Sequence, residues 1–175
     1  MDSEPEDIIK ERLAALGTLV EFGASMEWLL RRAFCSLVGS KFAAVVAGGQ
    51  GADWLIGQCQ ALVDAHRELP DAARQEIKDA LADCRKANEA RNHLVHSVKT
   101  ASGPDGSLLT LRSRLRSYKT TRKPWTLGEI NAAGSALMLA GQNLSHAVGK
   151  AVGPEMEFID EGLLWEDRQR QEDGK

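Results

Sequence analysis

Apolar residues recur along most of the chain at intervals of three and four, which is the spacing of one face of an α-helix. The pattern predicts four helices, at about 5–37, 52–68, 71–98 and 126–152. In the first helix the positions expected to face inward are Ile9, Leu13, Leu16, Val20, Gly23, Met26, Leu30, Phe34 and Leu37. In the last helix they are Leu127, Ile130, Leu137, Gly141, Leu144 and Val148.

Local signals support the starts of the first and last of these helices. Ser3 and Glu6, like Thr126 and Glu129, have the capping-box form, in which a hydroxyl residue is followed three positions later by glutamate. Residues 41–52 contain a short apolar patch and a glycine-rich loop, and they give no clear prediction.

The pattern changes between the third and fourth predicted helices. Residues 101–106 are dense in turn-forming residues, and from 108 to 121 the apolar positions alternate, which predicts a strand within a β-hairpin. The predicted fold is therefore all-α, a four-helix up-down bundle with a small β-hairpin inserted at about 107–123. The helical domain is expected to cover 1–153, followed by an acidic C-terminal tail at 154–175.

Composition narrows the class of protein. A chain of 175 residues with 43% hydrophobic and 27% charged residues fits one soluble globular domain and excludes wholesale disorder. No apolar run approaches the roughly 20 residues of a membrane span, and the acidic N-terminus does not fit a secretory signal. Cys35, Cys59 and Cys84 are odd in number and widely spaced, which favours neither a disulfide framework nor a metal site. These features predict a reduced, cytoplasmic protein with no membrane partner.

Charge is distributed unevenly along the chain. Residues 85–123 carry 10 Lys and Arg against 2 Asp and Glu, a net charge of +8, whereas residues 1–84 carry −6 and residues 154–175 carry −5. Strand alternation would place Arg112, Arg114, Arg116 and Tyr118 on one face, followed by Lys119, Arg122 and Lys123. One interpretation is RNA binding, with arginines on phosphates and the tyrosine on a base. The other is docking onto an acidic surface of the same protein, and the tail is a candidate cover for the hairpin.

The third helix carries a cation on its apolar face. Arg91 lies within a stripe made by Ile77, Leu81, Cys84, Asn88, Val95 and Val98, and Asn92 and His96 follow along the edge of that stripe. Glu27 likewise lies within the apolar stripe of the first helix. An unpaired buried charge costs several kcal/mol, so we expect a buried or interfacial ion pair between Glu27 and Arg91. It would either fix the helix register or belong to a cleft that faces a second subunit.

The segment Ala90–His96 resembles the R-x4–6-H motif of the HEPN superfamily (higher eukaryotes and prokaryotes nucleotide-binding domains), in its RN-x-x-x-H version. The resemblance covers about residues 5–152 and implies a four-helix core and a homodimer. It also implies either a metal-independent endoribonuclease or an inactive relative that binds RNA or nucleotides. His96 would then be a general acid or base, and Arg91 would hold the scissile phosphate. Asn92 would orient the histidine or hydrogen-bond the phosphate, with Glu27 and Asn88 in support. No metal or cofactor is implied.

The same resemblance points to toxin and defence systems, in which an antitoxin or regulatory protein is a possible partner. In one subgroup a tyrosine two residues after the motif histidine is adenylylated, but here that position is Val98 and the chain's one tyrosine is Tyr118. Regulation by that route is therefore not expected. His93 is expected to be a surface or contact residue, and His66 and His146 are expected to be surface or core histidines rather than ligands. A plain interaction scaffold remains a third interpretation of the chain.

Overall fold

The computed structural model describes residues 6–40, 42–102, 107–114 and 117–153. The elements in these ranges are α1 (Glu6–Val38), α2 (Ala43–Ala47), α3 (Ala52–Ala65), α4 (Asp71–Val95), β1 (Val98–Ser102), β2 (Leu108–Arg114), β3 (Ser117–Trp125) and α5 (Leu127–Val152). The strands form an antiparallel sheet in the order β1-β2-β3. A mostly helical chain with a small antiparallel β element before its last helix is thus confirmed.

The start of α5 follows its local sequence. The hydroxyl of Thr126 accepts a hydrogen bond from the backbone N–H of Glu129, and the Glu129 carboxylate accepts one from the N–H of Thr126 at 2.8 Å. This reciprocal cap is the predicted capping box. Five of the six predicted inward residues of α5 are buried, and Leu127, in the first turn, is 36% exposed. The other predicted capping box, at Ser3, lies outside the described residues.

The predicted end of the third helix is wrong. The helix ends at Val95, and Val98–Ser102 instead pairs with β2 as an additional antiparallel strand. The β-branched side chains of Val98 and Thr100 favour extended backbone over helix. The predicted hairpin is therefore part of a three-stranded sheet among the described residues.

α1 and α5 run in the same direction. A Cβ added at Gly134 would lie 3.8 Å from the Cα of Leu19, and one added at Gly141 would lie 3.3 Å from the Cα of Met26. A step of seven residues along α5 thus corresponds to a step of seven residues along α1 in the same direction. The predicted up-down alternation is therefore wrong for this pair of helices. The cause is the segment 39–51, which brings the Gln50 carbonyl back to within 3.4 Å of Nη2 of Arg31, so that α3 repeats the direction of α1.

α4 runs antiparallel to its neighbours α3 and α5. Nδ2 of Asn88, late in α4, donates to Oδ1 of Asp53 at the start of α3 (2.7 Å), and Nζ of Lys150, late in α5, lies 2.9 Å from Oε2 of Glu76, early in α4. The sheet joins the end of α4 to the start of α5. The 26 residues of α5 then rise about 39 Å away from the sheet. A tail that covered the predicted basic hairpin in the same chain would have to span that distance.

The buried face of α1 is only partly the predicted one. Its C-terminal half buries Met26, Leu30 and Leu37 as predicted. In its N-terminal half the predicted residues Ile9, Leu13 and Val20 are 42, 62 and 46% exposed. The buried residues there are instead Arg12, Ala15 and Leu19. α3 begins only beside the middle of α1. No described element therefore covers the face of Ile9, Leu13 and Val20 in the first half of the helix.

By length and composition alone, α1 is also long and apolar enough to cross a membrane, which differs from the expectation based on its apolar runs. The core helix of a soluble protein passes the same test. Leu19, Met26 and Leu30 of α1 are fully buried against the other helices. These residues place the middle of α1 in the core of the described fold, while 28% of its apolar window as a whole is buried.

All three cysteines are buried free thiols. Desolvation by burial raises the pKa of Cys59 and of Cys84 to about 12 and raises that of Cys35 as well. Because the thiolate is the reactive form, these thiols are expected to react slowly with alkylating reagents in the folded protein.

His66 joins the end of α3 to the end of α1, and its protonation is expected to stabilise the fold. Nε2 lies 2.7 Å from the Leu37 carbonyl oxygen, and Nδ1 lies 2.5 Å from Oε1 of Glu68. The carbonyl of Leu37, then the carboxylate of Glu68, raises the pKa of His66 above 6.5, because the neutral ring can donate to only one of these acceptors.

A pKa that is higher in the folded than in the unfolded protein adds to the free energy of unfolding. This contribution is complete below about pH 6.5, the pKa of histidine in the unfolded chain, and it is lost as the pH rises through the pKa of the folded state. We expect His66→Gln to lower the free energy of unfolding by about 0.5–1 kcal/mol more at pH 5.5 than at pH 8.5, the size of a partly exposed ion pair. Urea titrations of both proteins at the two pH values measure this difference. An equal loss at both pH values would contradict the assigned role of the histidine charge.

Candidate functional site

Arg91 lies on the side of α4 that faces α1, and it is half-buried. A Cβ added at Gly23 would lie 3.1 Å from its Nε, so the absence of a side chain at Gly23 makes room for the arginine. The Nε atom is buried and forms no hydrogen bond with any described residue. The guanidinium is therefore held close to the helix surface with part of its hydrogen-bonding capacity unused.

The predicted ion pair between Glu27 and Arg91 does not form within the described chain. Oε1 of Glu27 instead pairs with Nη2 of Arg31 at 2.8 Å, one turn further along α1. Nη1 of Arg91 donates to Oδ1 of Asn92 at 3.1 Å. Arg31 lies one turn from Glu27 on the same helix, so it reaches the carboxylate at little conformational cost. Among the described residues, Arg91 consequently has an amide partner but no carboxylate partner.

Arg91 opens onto a pocket of about 200 Å³. Its lining comes from three helices and the loop before α3: Glu27, Gly51, Ala52, Asp53, Trp54, Asn88, Arg91 and Asn92. Four of the predicted site residues, Glu27, Asn88, Arg91 and Asn92, therefore meet at one place. The sequence pattern did not identify Asp53 and Trp54, because nothing local indicates that the first turn of α3 packs beside residues 35 positions later.

Asn88 fixes the geometry of this pocket. It is 2% exposed, and its Nδ2 donates to Oδ1 of Asp53 across the α3–α4 interface at 2.7 Å. Asn88 lies nearly one helical turn before Arg91, so the bond ties the first turn of α3 to the turn of α4 that carries the guanidinium. The supporting role expected for Asn88 has a physical basis in this contact.

His96 lies outside the pocket. It is the residue directly after α4, and its backbone N–H still donates to the carbonyl of Asn92 at 3.1 Å. The imidazole is exposed, and no hydrogen bond joins it to another described side chain. The described chain therefore brings Arg91 and Asn92 together, while His96 presents its ring to solvent one turn further along.

His93 connects α4 to the sheet. Its Nε2 lies 3.1 Å from Oγ1 of Thr110, which is fully buried and donates to the carbonyl of Lys123 at 3.0 Å. The ring also packs on Trp125, with 5.9 Å between ring centroids, and Nζ of Lys123 lies 3.6 Å from the Trp125 ring centroid. His93 is thus a contact residue, as expected, and it fixes the sheet beside the turn that carries His96.

The predicted basic face is divided between two strands. β2 ends at Arg114 and β3 begins at Ser117, so Tyr118 does not continue the strand of Arg112 and Arg114. In the register of the pair, Arg112 lies opposite Thr121. Arg116 and the side chains of Arg112, Arg114, Tyr118, Lys119 and Arg122 lie outside the described residues. Lys123, the last member of the set, is described and lies over Trp125.

The pocket has the composition of a polar binding site rather than of a sealed core. It combines an arginine that has no carboxylate partner among the described residues with two amides, two carboxylates and an indole ring. Compared with protein-family models, with curated proteins and with solved structures, the chain gives no match.

Proposed function

We propose that this chain is a cytoplasmic, metal-independent endoribonuclease of a toxin or defence system, related to the HEPN superfamily and active as a homodimer. Arg91, Asn92 and His96 would line the cleft between the two copies. The four long helices α1, α3, α4 and α5 would correspond to the four-helix core of that superfamily. RNA is the proposed substrate, and an antitoxin or other regulatory protein is a possible partner.

The observation that carries this proposal is the state of Arg91. Its half-buried guanidinium has a buried Nε without a partner and no carboxylate partner among the described residues. A partly desolvated cation of this kind gains most from an anion supplied from outside the chain. The planar guanidinium donates two parallel hydrogen bonds to a phosphate group, which makes a phosphodiester a suitable ligand.

The proposed chemistry uses an imidazole and a guanidinium and no metal. A general base removes the proton of a ribose 2′-hydroxyl, whose oxygen attacks the adjacent phosphorus, and the 5′-oxygen leaves with a proton from a general acid. His96 would serve in one of these roles, since imidazole titrates near neutral pH. Arg91 would stabilise the charge that develops on the phosphoryl oxygens, and Asn92 would hold Arg91 in place through its 3.1 Å contact.

The uncovered side of α1 supports a second copy as partner. Leu13 and Val20 are 62 and 46% exposed, and they lie on the helix face that continues to Gly23 and Glu27 beside Arg91. Exposed apolar side chains along one helix face that leads to a polar pocket are typical of interaction surfaces. A copy related by two-fold symmetry would cover this face and bring the two His96 side chains toward one cleft.

The second candidate is an inactive relative that binds RNA or a nucleotide without cutting it. The exposed position of His96, outside the pocket that Arg91 and Asn92 line, favours this alternative, since acid–base catalysis needs the imidazole near the phosphate.

Incubation of a labelled RNA pool with the purified protein in excess chelator separates the two candidates. The nuclease proposal expects cleavage that a chelator does not inhibit. Binding that weakens steeply with added salt, with no cleavage, would favour the second candidate. Neither cleavage nor binding would leave an interaction scaffold, and would reject both proposals.

A further inference from the structure

α1 carries a set of residues at alternating steps of four and three, the heptad spacing by which one helix packs against another. The four apolar members in the middle of the set are exposed, Leu13 by 62% and Val20 by 46%. No described element covers this apolar part. We name the whole set the α1 stripe: Glu6, Lys10, Leu13, Gly17, Val20, Ala24, Glu27 and Arg31.

The two ends of the α1 stripe are charged. Lys10 pairs with Glu6 at 2.8 Å, and Arg31 pairs with Glu27 at 2.8 Å. These four side chains keep between 26 and 81% of their surface exposed. In an antiparallel copy of the stripe the order of the charges is reversed, so that Glu6 lies opposite Arg31 and Lys10 lies opposite Glu27. A parallel copy in register would instead place each charge opposite itself, which is unfavourable.

The register that pairs these charges also pairs large apolar residues with small ones. Leu13 lies opposite Ala24, and Gly17 lies opposite Val20, so each bulky side chain of one copy meets a small residue of the other. Such complementarity is what close packing between two helices requires. A two-fold axis relates the copies in this register and passes α1 midway between Gly17 and Val20.

The candidate site lies at the level of this axis. Arg91 packs beside Gly23, and α4 runs antiparallel to α1. His96 follows Arg91 by five residues, so it lies about 7.5 Å nearer to the N-terminus of α1, level with residues 17–20. Gly23 lies about 90° around α1 from the middle of the α1 stripe. The α4 helices of both copies would therefore lie on one side of the paired α1 helices, with both His96 residues at the level of the axis.

We propose that α1 packs in this antiparallel register against α1 of a second copy of the chain. The proposal rests on the homodimer of the proposed function and specifies its interface. Because Glu27 lines the Arg91 pocket, the partner's Lys10 opposite it would add a second cation at the edge of that pocket. Each pocket would then be completed by the other copy, and a phosphate bound by Arg91 would lie near two positive charges.

Disulfide formation between full-length chains tests the register. A mixture of Leu13→Cys and Ala24→Cys chains, one of them carrying an affinity tag, should form linked mixed dimers under mild oxidation, because a disulfide needs Cα atoms within about 7 Å. Each variant alone should form few linked dimers, since its two cysteines would lie about 16 Å apart along the paired helices. A mixture of Leu13→Cys with Ala14→Cys, exposed on α1 but outside the stripe, measures chance collisions. The three native thiols are buried.

Reversal of one charge tests the same interface without cysteines. Lys10→Glu should raise the dissociation constant of the dimer about tenfold, because the two-fold axis repeats the new repulsion with Glu27 twice. Adding Glu27→Lys to Lys10→Glu should restore most of the affinity. Lys86→Glu makes the same change in net charge at an exposed position on the α5 side of α4, and it should leave the dissociation constant unchanged. Sedimentation equilibrium measures all four proteins.

Three results would overturn the proposal. The first is a protein that stays monomeric at every concentration. The second is a Leu13→Cys and Ala24→Cys mixture that links no faster than the Ala14→Cys control. The third is Leu13→Cys that links efficiently to itself, which would indicate a parallel pair. None of these readouts involves RNA. A linked dimer that does not cut RNA would reject the nuclease alone, and cleavage without linkage would reject this interface alone.

Discussion

Replacing His96 with alanine is expected to lower the rate of RNA cleavage by about 100- to 10,000-fold, the usual contribution of one general acid or base. The imidazole is exposed and has no hydrogen bond to another described side chain, so its loss should leave the free energy of unfolding nearly unchanged.

Replacing Arg91 with lysine should reduce cleavage by about 100- to 1,000-fold, because an ammonium cannot make the paired hydrogen bonds of a guanidinium.

Matched controls separate a local loss of chemistry from a general loss of structure. Arg85→Ala removes an exposed arginine from α4, and His146→Ala removes an exposed histidine from α5. Both should retain the cleavage rate of the unmodified protein. Single-turnover rates with the protein in excess give the comparison. If His96→Ala cuts RNA as fast as His146→Ala does, the proposed role of His96 is rejected.

A substitution at the α1–α5 interface should have the largest effect on stability. At Gly141 an added Cβ would lie 2.9 Å from Cδ1 of Leu29 and 3.3 Å from the Cα of Met26. The leucine can rotate, but the backbone of Met26 can move only if α1 moves. We therefore expect Gly141→Val to destabilise the protein by about 1–3 kcal/mol through overpacking.

The same change at Gly149, on the same helix, is the control. An added Cβ there meets no atom of the described residues within 4 Å, and valine favours helix over glycine by a few tenths of a kcal/mol. Gly149→Val should therefore be neutral or slightly stabilising. Thermal denaturation should show a midpoint lower by about 2–4 °C for each kcal/mol lost at Gly141. Equal midpoints for the two variants would contradict the close approach of α1 and α5.

The sequence predicted features that depend on neighbouring residues. The capping box at Thr126 and Glu129 is present because its two hydrogen bonds join residues three apart, and the inward residues of α5 follow from helical spacing. Ile9, Leu13 and Val20 have the same spacing and are exposed. Their predicted inward position is wrong, because helical spacing identifies an apolar face but does not tell whether another element covers it.

The candidate site was predicted less completely for the same physical reason. Glu27, Asn88, Arg91 and Asn92, four of the predicted site residues, line one pocket, whereas His96, one helical turn from Asn92, lies outside it. The predicted pair of Glu27 with Arg91 was wrong, because Arg31, one turn away on the same helix, pairs with the carboxylate instead. Asp53 joins the site only through its contact with Asn88, which is 35 residues away in sequence. No short-range pattern encodes a contact of that kind.

The contact between His93 and Thr110 determines how a pH–rate profile of cleavage should be interpreted. The Thr110 hydroxyl gives its one hydrogen to the Lys123 carbonyl, so it can only accept from His93, and Nε2 of His93 must carry a hydrogen. That hydrogen is present on both the neutral ring and the imidazolium, so this link to the sheet does not depend on the protonation state of the ring. A pH dependence of the cleavage rate that is absent from His96→Ala would then reflect the exposed imidazole rather than a loosening of the sheet.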